Sequence, residues 1–165
     1  MTAPSIPEAD VGVFGGSGFT HLLDDVEVVE MSTPYGEPSA PVAIGEISGR
    51  RVAFLARHGR HHEHPPHRVN YRANVDAMRQ LGIGALFAPF AAGSLRPSLK
   101  PGELVVVDQF FDRTSGREET FHDHFGEGPH HLTLPDPYDR RCEACCSPTA
   151  VPPASPCTTG APSSW

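Results

Sequence analysis

The sequence has no cysteine before residue 142, no apolar run long enough to span a membrane, and no basic and apolar leader at its amino terminus. A disulfide framework ties elements throughout a small secreted domain, which four cysteines confined to residues 142–165 cannot do. Lys and Arg number 13 against 20 Asp and Glu, so the formal net charge is −7. This balance argues against a general nucleic-acid or membrane-surface binder. We therefore expect a cytoplasmic protein with no nucleic-acid or membrane partner.

Several well-known binding motifs are also missing. The glycine-rich stretch Gly15–Gly18 is neither a dinucleotide-binding G-x-G-x-x-G nor a Walker loop, which needs a downstream Gly-Lys-Ser/Thr. The chain has no H-E-x-x-H and no paired C-x-x-C set, and Pro65-Pro66 interrupts any helical face on which histidines could converge. A metal site stays open only as an alternative, and we expect none. Its candidate ligands are His58, His61, His62, His64, His67, Cys142 and Cys145.

The apolar pattern predicts one domain of the α/β class. A helix is expected from about Val69 to Leu81, with Gly82 as its stop. Its apolar face is predicted to contain Val69, Ala73, Ala77 and Leu81, with Val75 and Met78 near it. Glu103–Phe111 carries the strongest strand signal. Ser48-Gly49 is a hairpin signal between two of the strands. The other predicted strands are Val11–Phe14, Val26–Met31, Pro41–Ile47, Arg51–Leu55 and a run beginning at Ala85.

Two loops that follow predicted strands are suited to holding an anion. Ligands in α/β sheets usually bind at the carboxyl ends of strands, and an arginine fork matches phosphate oxygens. The Gly15–Gly18 turn can form a nest of N–H groups to which the Ser17 hydroxyl adds a donor. A solvated loop and a plain tight turn remain the alternatives. The loop after the Arg51–Leu55 strand contains Arg57, Arg60 and Arg68 among its histidines.

The carboxyl-terminal part differs in composition from the rest. Residues 121–138 are predicted to form a long surface loop. Residues 142–165 consist almost wholly of Cys, Ala, Pro, Ser and Thr, with no Leu, Ile or Phe. Such a stretch buries too little apolar area to offset the entropy of ordering it. We therefore assign residues 1–141 to the folded part and residues 142–165 to a disordered tail.

Taken together, the motifs resemble those of the trimeric purine nucleoside phosphorylases, in particular the 5′-methylthioadenosine phosphorylase branch. The resemblance implies a three-layer α/β/α domain around a twisted mixed sheet. It also implies phosphorolysis in purine salvage, in which inorganic phosphate attacks the anomeric carbon of a purine nucleoside and the purine leaves. A homotrimer is expected, with no cofactor because phosphate is a substrate. The matching segments, in the family's order, are Val11–Gly18, Thr33–Pro38, Leu55–Arg60, Val69–Asn74, Ala91–Arg96, Pro101–Glu103 and Val107–Thr114.

The resemblance also assigns roles to individual residues. Ser17 and the Arg57-His58 pair would hold phosphate, and Ala91 would offer it a backbone N–H. His131 matches a histidine that reaches into the neighbouring subunit's site, beside the 5′ group of the sugar. Trimer formation would then be part of building the site.

Two departures from the family pattern bear on activity. Phe90 stands where the branch usually has a phosphate-binding threonine. The family also continues past Tyr138 with a base-binding loop and the aspartate that assists purine protonation, so no catalytic residue is assigned here. We interpret the chain as the first half of a phosphorylase whose tail looks frame-shifted, and we expect it to be impaired or inactive. The alternative is a non-catalytic fragment that binds phosphate weakly or pairs with full-length subunits.

Overall fold

The computed structural model describes residues 7–16, 22–23, 25–126 and 128–146. The chain divides into two compact units. The first takes its described residues from Met1–Ala92 and Ser115–His124, and the second from Gly93–Thr114 and Phe125–Trp165. None of the described helices is both long and apolar enough to cross a membrane.

The first unit is built on a mixed sheet of five strands, which confirms the predicted α/β class. The order across the sheet is β2-β3-β4-β1-β5. β1 runs parallel to β4 and β5, whereas β3 runs antiparallel to β2 and β4. The carboxyl ends of β1, β4 and β5 therefore meet at one edge of the sheet, as the sequence led us to expect. The strands are β1 (Val11–Gly15), β2 (Glu27–Val29), β3 (Val42–Ile47), β4 (Arg50–Ala56) and β5 (Ala85–Phe87).

The predicted hairpin between β3 and β4 is confirmed. Its two connecting residues, Ser48 and Gly49, have φ values of 50° and 75°. A two-residue loop with positive φ at both positions has the backbone twist that matches the twist of the strands it joins.

Helix α1 (Tyr71–Gln80) connects β4 to β5 and covers one face of the sheet. Val75 was expected near the apolar face but is 39% exposed. Val75 follows Ala73 by two residues, a rotation of more than half a turn, so it lies on the other side of the helix from Ala73. The predicted apolar face is confirmed, since Val69, Ala73, Ala77 and Leu81 are buried, and Met78, expected near that face, is buried as well.

The helix ends where the sequence predicted. Gly82 has φ +71°, and its N–H donates to the carbonyl of Arg79 at 3.1 Å. The N–H of Ile83 donates to the carbonyl of Met78 at 3.4 Å. This pair of hydrogen bonds is a Schellman motif, which satisfies the last carbonyls of the helix and needs a left-handed residue that glycine adopts without strain.

The core lies on both faces of the sheet, because β4 is covered on each side. Ala53 and Leu55 belong to the apolar cluster that includes α1. Phe54 and Ala56 point the other way and pack with Leu23 in a second cluster. Alternate residues of a strand face opposite sides, so a central strand of this kind is almost continuously apolar. Of the three layers that the resemblance implied, the described residues provide the sheet and the layer of α1.

The segment Ser115–His124 belongs to the first unit because Arg72 of α1 holds it there. The Arg72 guanidinium contacts the carboxylates of Glu118, at 2.6 Å, and of Asp123. Its Cζ also lies 5.2 Å from the centre of the Tyr35 ring, against which Phe121 packs edge-on. The hydrogen bonds to Glu118 and Asp123 raise the pKa of Arg72, so the arginine remains charged.

The second unit contains the main error of the sequence prediction. Glu103–Phe111 is not a strand within the described residues, although its β propensity is the strongest in the chain. Leu104 is 68% exposed and Phe111 is 87% exposed. Propensity measures how well a residue packs on a pleated surface, and among the described residues this segment forms no more than a single bridge, at Val105. Residues 121–138 form neither helix nor strand where they are described, as predicted.

Helix α2 (Arg140–Cys146) crosses the boundary that we placed at residue 142. Cys142 and Cys146, which the composition assigned to the tail, are therefore helical. The rest of the predicted disordered tail lies outside the described residues. The domain boundary and the disorder of the tail stay predictions.

Two asparagines one helical turn apart fasten α1 to the segment before β3. Asn70 caps the helix by accepting from the Ala73 N–H at 3.1 Å, and its amide donates to the Tyr35 carbonyl at 2.8 Å. The Asn74 side chain is buried and accepts from the Ser39 N–H at 2.8 Å. The spacing of the two residues therefore has a structural reason, since i and i+4 lie on the same side of a helix.

Replacing Asn70 by alanine is expected to lower the free energy of unfolding by about 1–3 kcal/mol, because both the helix cap and the bond to Tyr35 are lost. Asn70→Asp keeps the capping oxygen but loses the amide donor, so its loss should be smaller. Urea unfolding followed by circular dichroism measures both values. Equal losses in the two variants would show that the cap contributes nothing.

Candidate functional site

The carboxyl ends of β1, β4 and β5 bring three segments of the chain together. Gly15 of β1 is paired with Ala56 of β4, so the residues that follow each strand are neighbours. The backbone N–H of Arg57 donates to the Gly15 carbonyl at 3.1 Å, which continues the ladder one step beyond β4. β5 ends at Phe87, two residues before Pro89, which cannot donate a ladder hydrogen bond.

The side chain of Arg57 turns across these strand ends. Its guanidinium lies so close to Gly16 that a Cβ on Gly16 would be 2.6 Å from Nη2 and 2.8 Å from Cζ. Nη1 approaches the Pro89 carbonyl at 3.5 Å. Within the described residues, Nη2 has no hydrogen-bond acceptor. Arg57 is half-buried, so its charge is held at the sheet edge with a donor available to a bound anion.

His58 is buried beneath this guanidinium with both ring nitrogens engaged. Its Nε2 lies 3.2 Å from Nε of Arg57, and its Nδ1 lies 2.9 Å from the carbonyl oxygen of His64. An arginine Nε always carries a hydrogen, so Nε2 of His58 must be the acceptor. The ring proton is therefore on Nδ1, from which it is donated to the His64 carbonyl.

A tight loop from Gly59 to His64 sets the position of that carbonyl. The His64 N–H donates back to the His58 carbonyl at 2.9 Å, and Gly59 has φ +85°. Oε2 of Glu63 accepts from the His61 N–H at 2.9 Å. The hydrogen bonds from the backbone N–H groups of Glu63 itself and of His61 lower the pKa of the Glu63 carboxyl, which favours its charged, accepting form.

The remaining cations of the loop do not join Arg57. Arg60, Arg68 and His67 are exposed, which agrees with the solvated-loop alternative for this part of the sequence. His62 is exposed as well, but its ring stacks on His58 with 4.7 Å between the centroids. Across the described residues, no three His, Cys, Asp or Glu side chains are grouped so that they could hold a metal ion.

The resemblance drew attention to four further positions, of which the structure describes three. Ser17 lies outside the described residues. Ala91 is exposed and follows Pro89 by two residues, so it lies beyond the end of β5 near the carbonyl that Arg57 contacts. Phe90 is 56% exposed and has no polar atom in its side chain that could replace the threonine hydroxyl. His131 is exposed and belongs to the second unit.

The sequence prediction missed the partners that hold Arg57 in place. Gly16 had been interpreted as a flexible turn residue, whereas its lack of a Cβ also makes room for the guanidinium. The Pro89 carbonyl, which Arg57 contacts, and the His64 carbonyl, which the His58 ring contacts, were not anticipated, because a backbone oxygen carries no sequence signal. The resemblance had placed Ser17 and Arg57 at one phosphate, but the direct contact of Arg57 with Gly16 follows from the parallel register of β1 and β4.

Comparison with known proteins gives consistent matches. A family model described as the phosphorylase superfamily matches residues 10–151. A purine nucleoside phosphorylase of Streptomyces coelicolor is 52% identical over 137 residues, which cover 79% of this chain and 49% of that protein. An S-methyl-5′-thioadenosine phosphorylase of Pyrococcus horikoshii is 48% identical over 128 residues, covering 78% of this chain and 49% of that protein.

A solved structure agrees with the sequence matches. Methylthioadenosine phosphorylase from Schistosoma mansoni, in complex with adenine, superposes with a TM-score of 0.78 and 38% identity, over 86% of this chain and 50% of that one. This confirms the phosphorylase type of α/β fold. The chain spans about half the length of the curated relatives it matches. Because the family model matches this chain from β1 to beyond α2, the chain belongs to the phosphorylase superfamily.

Proposed function

We propose that this chain forms the phosphate-binding part of a purine nucleoside phosphorylase. The reaction is phosphorolysis of 5′-methylthioadenosine or a related purine nucleoside to the free purine and a ribose 1-phosphate. The observation that carries the proposal is the Arg57 guanidinium packed on Gly16, at the edge where β1, β4 and β5 end. The names of the relatives support the choice of purine nucleosides as the substrate class.

The geometry suits the chemistry of this reaction. An oxygen of phosphate forms a bond to the anomeric carbon while the bond from that carbon to the purine nitrogen breaks. Positive charge develops on the sugar in the transition state, so a phosphate held in a fixed position both attacks and stabilises it. Arg57 contributes a fixed positive charge and a planar fork of donors that matches phosphate oxygens.

The other expected contacts complete the proposal. Ser17 follows Gly16 directly and would add a hydroxyl, and the backbone N–H of Ala91 would reach the same anion. His131 would act in the site of a neighbouring subunit, which requires a homotrimer. The reaction needs no cofactor, since phosphate is itself a substrate, and the expected location is the cytoplasm. No residue of this chain is assigned to protonate the purine.

A second candidate function is a non-catalytic chain that binds phosphate or pairs with full-length subunits. The second unit favours it, because several of its large apolar side chains are exposed. Leu95 is 100% exposed, Phe111 87% and Leu132 77%. Apolar surface of this kind commonly marks a site of protein association.

An assay with 5′-methylthioadenosine separates the two candidates. We expect the purified chain to bind phosphate and to release adenine slowly or not at all, because no purine-protonating group is assigned to it. Adenine is measured by chromatography with and without phosphate. Phosphate-dependent release at a rate typical of enzymes would rule out the non-catalytic candidate, whereas a folded chain that binds no phosphate would refute the proposed site.

Arg57→Ala should weaken phosphate binding about tenfold or more, since hydrogen bonds to a charged partner contribute roughly 1.5–3 kcal/mol. Arg57→Lys keeps the charge but not the planar fork, so its affinity should lie between those of Arg57→Ala and the original chain. Titration calorimetry with inorganic phosphate gives all three dissociation constants. An unchanged constant in Arg57→Ala would remove the residue from the site.

Gly16→Ala should weaken phosphate binding roughly three- to tenfold although it removes no polar group. The added Cβ would occupy the space of the guanidinium, which is the movable end of a flexible side chain and would shift away from the strand ends. Gly84→Ala is the matched control, because a Cβ there meets only the Asp10 carbonyl at an ordinary 3.6 Å. If the two variants bind phosphate equally well, the contact between Gly16 and Arg57 does not matter for the site.

A further inference from the structure

We infer that Glu63 is a positioning residue of the proposed phosphate site, because its carboxylate sets the shape of the turn that supports the Arg57-His58 pair. The inference rests on the proposed function and adds to it a residue to which the resemblance assigns no role. Glu63 folds back over its own turn, and its Oε2 accepts from the His61 N–H at 2.9 Å. The same carboxylate fills the space beside Gly59, where an added Cβ would lie 2.6 Å from Cδ of Glu63.

The backbone of this turn needs support from a side chain. Its ends are closed by the His64 N–H, which donates to the His58 carbonyl, and by the Gly59 N–H, which donates to the Ala56 carbonyl, both at 2.9 Å. Between these bonds, Gly59 and His62 have φ values of +85° and +64°. Glycine adopts this region freely, whereas a histidine there is strained and persists only where its surroundings hold it. The bond from the His62 N–H to the Gly59 carbonyl is long, at 3.5 Å, so an acceptor from a side chain strengthens the turn.

The turn in its place determines where the His58 ring and the Arg57 guanidinium lie. The His64 carbonyl, at the end of the turn, is 2.9 Å from Nδ1 of His58. Nε2 of the same ring is 3.2 Å from Nε of Arg57. A change in the turn would therefore displace the ring, and the ring would disturb the guanidinium. Glu63 can affect phosphate binding in this way without touching phosphate, since a displacement of about 1 Å is enough to weaken a binding site.

The charge of Glu63 acts against phosphate binding, which separates a positioning role from a purely electrostatic one. A carboxylate near a phosphate site repels the anion, although water and salt screen an exposed charge. The hydrogen bonds from the backbone N–H groups of Glu63 itself and of His61 lower the pKa of this carboxyl, so the charged form is the one present at neutral pH. If only the charge mattered, every variant that removes it would bind phosphate more tightly. If the hydrogen-bond acceptor matters, only a variant that loses the acceptor binds phosphate more weakly.

The first test compares the binding of inorganic phosphate in three variants by titration calorimetry. Glu63→Ala removes both the charge and the acceptor and should weaken binding about three- to tenfold. Glu63→Gln removes the charge but keeps an amide oxygen as acceptor, so its dissociation constant should stay within about twofold of the original. Glu46→Ala is the matched control, because Glu46 is an exposed glutamate of β3 that pairs with the amino end of β4, and it should not weaken binding. Equal binding in Glu63→Ala and Glu63→Gln, or tighter binding in both, would overturn the inference.

The second test asks whether the effect of Glu63 passes through the His58 ring. His58→Ala alone should weaken phosphate binding, because the resemblance places this ring at the phosphate. Adding Glu63→Ala to that variant should change the dissociation constant by less than about twofold, since the turn no longer has a ring to position. Circular dichroism and urea unfolding establish that each variant is folded. Losses that add in full in the folded double variant would show that Glu63 acts by another route and would contradict the inference.

The third test examines the turn in the absence of phosphate. By NMR, the His61 amide should exchange with water more slowly in the original chain and in Glu63→Gln than in Glu63→Ala, because the first two keep its acceptor. The nitrogen-15 shifts of the His58 ring should change in Glu63→Ala but not in Glu46→Ala. Unaltered exchange and unaltered ring shifts in Glu63→Ala would refute the geometry on which the inference rests. If the original chain binds no phosphate while these differences are observed, the proposed function fails and the role of Glu63 in shaping the turn stands.

Discussion

The parallel pairing of β1 with β4 is the constraint on which the site depends. It places Gly15 opposite Ala56, so the turn that leaves β1 and the loop that leaves β4 start side by side. A shift in register would move every side chain of one strand to the other face of the sheet and would separate Gly16 from Arg57. The register is in turn fixed by the apolar faces of β4, which are buried on both sides. Core packing therefore determines where the positive charge lies.

Helix α1 packs closely against the face of the sheet that it covers. Gly12 lets α1 and the residues after it approach β1 closely, since a Cβ there would be 2.9 Å from Cδ1 of Leu86 and 3.1 Å from Sδ of Met78. Asn70 and Arg72 then bind two distant segments to the helix, the turn that contains Tyr35 and the stretch Ser115–His124. Asn70 and Arg72, which a pattern search would group with the active site, therefore have a structural explanation.

The sequence predicted what is determined locally and failed where a distant partner decides. The Ser48-Gly49 turn and the Gly82 stop require positive φ, which short sequence signals reveal. Glu103–Phe111 has every local property of a strand, yet pairing depends on an edge elsewhere in the protein. By residue type Arg57, Arg60 and Arg68 were equivalent, and the resemblance singled out Arg57. The fold supplies the physical difference, because Arg57 packs on Gly16 whereas the other two are exposed.

That distinction bears on the proposed phosphate site, which lies in a chain with a net charge of −7. Exposed arginines such as Arg60 are screened by water and salt, and each would lose rotamer freedom on binding. Arg57 is half-buried and restrained by Gly16, Pro89 and His58, so the loss of freedom occurs during folding. A fixed charge with reduced exposure to water stabilises a bound anion more than several mobile ones. Affinity for phosphate should therefore depend on how firmly the Arg57 guanidinium is held, rather than on the number of cations in the loop.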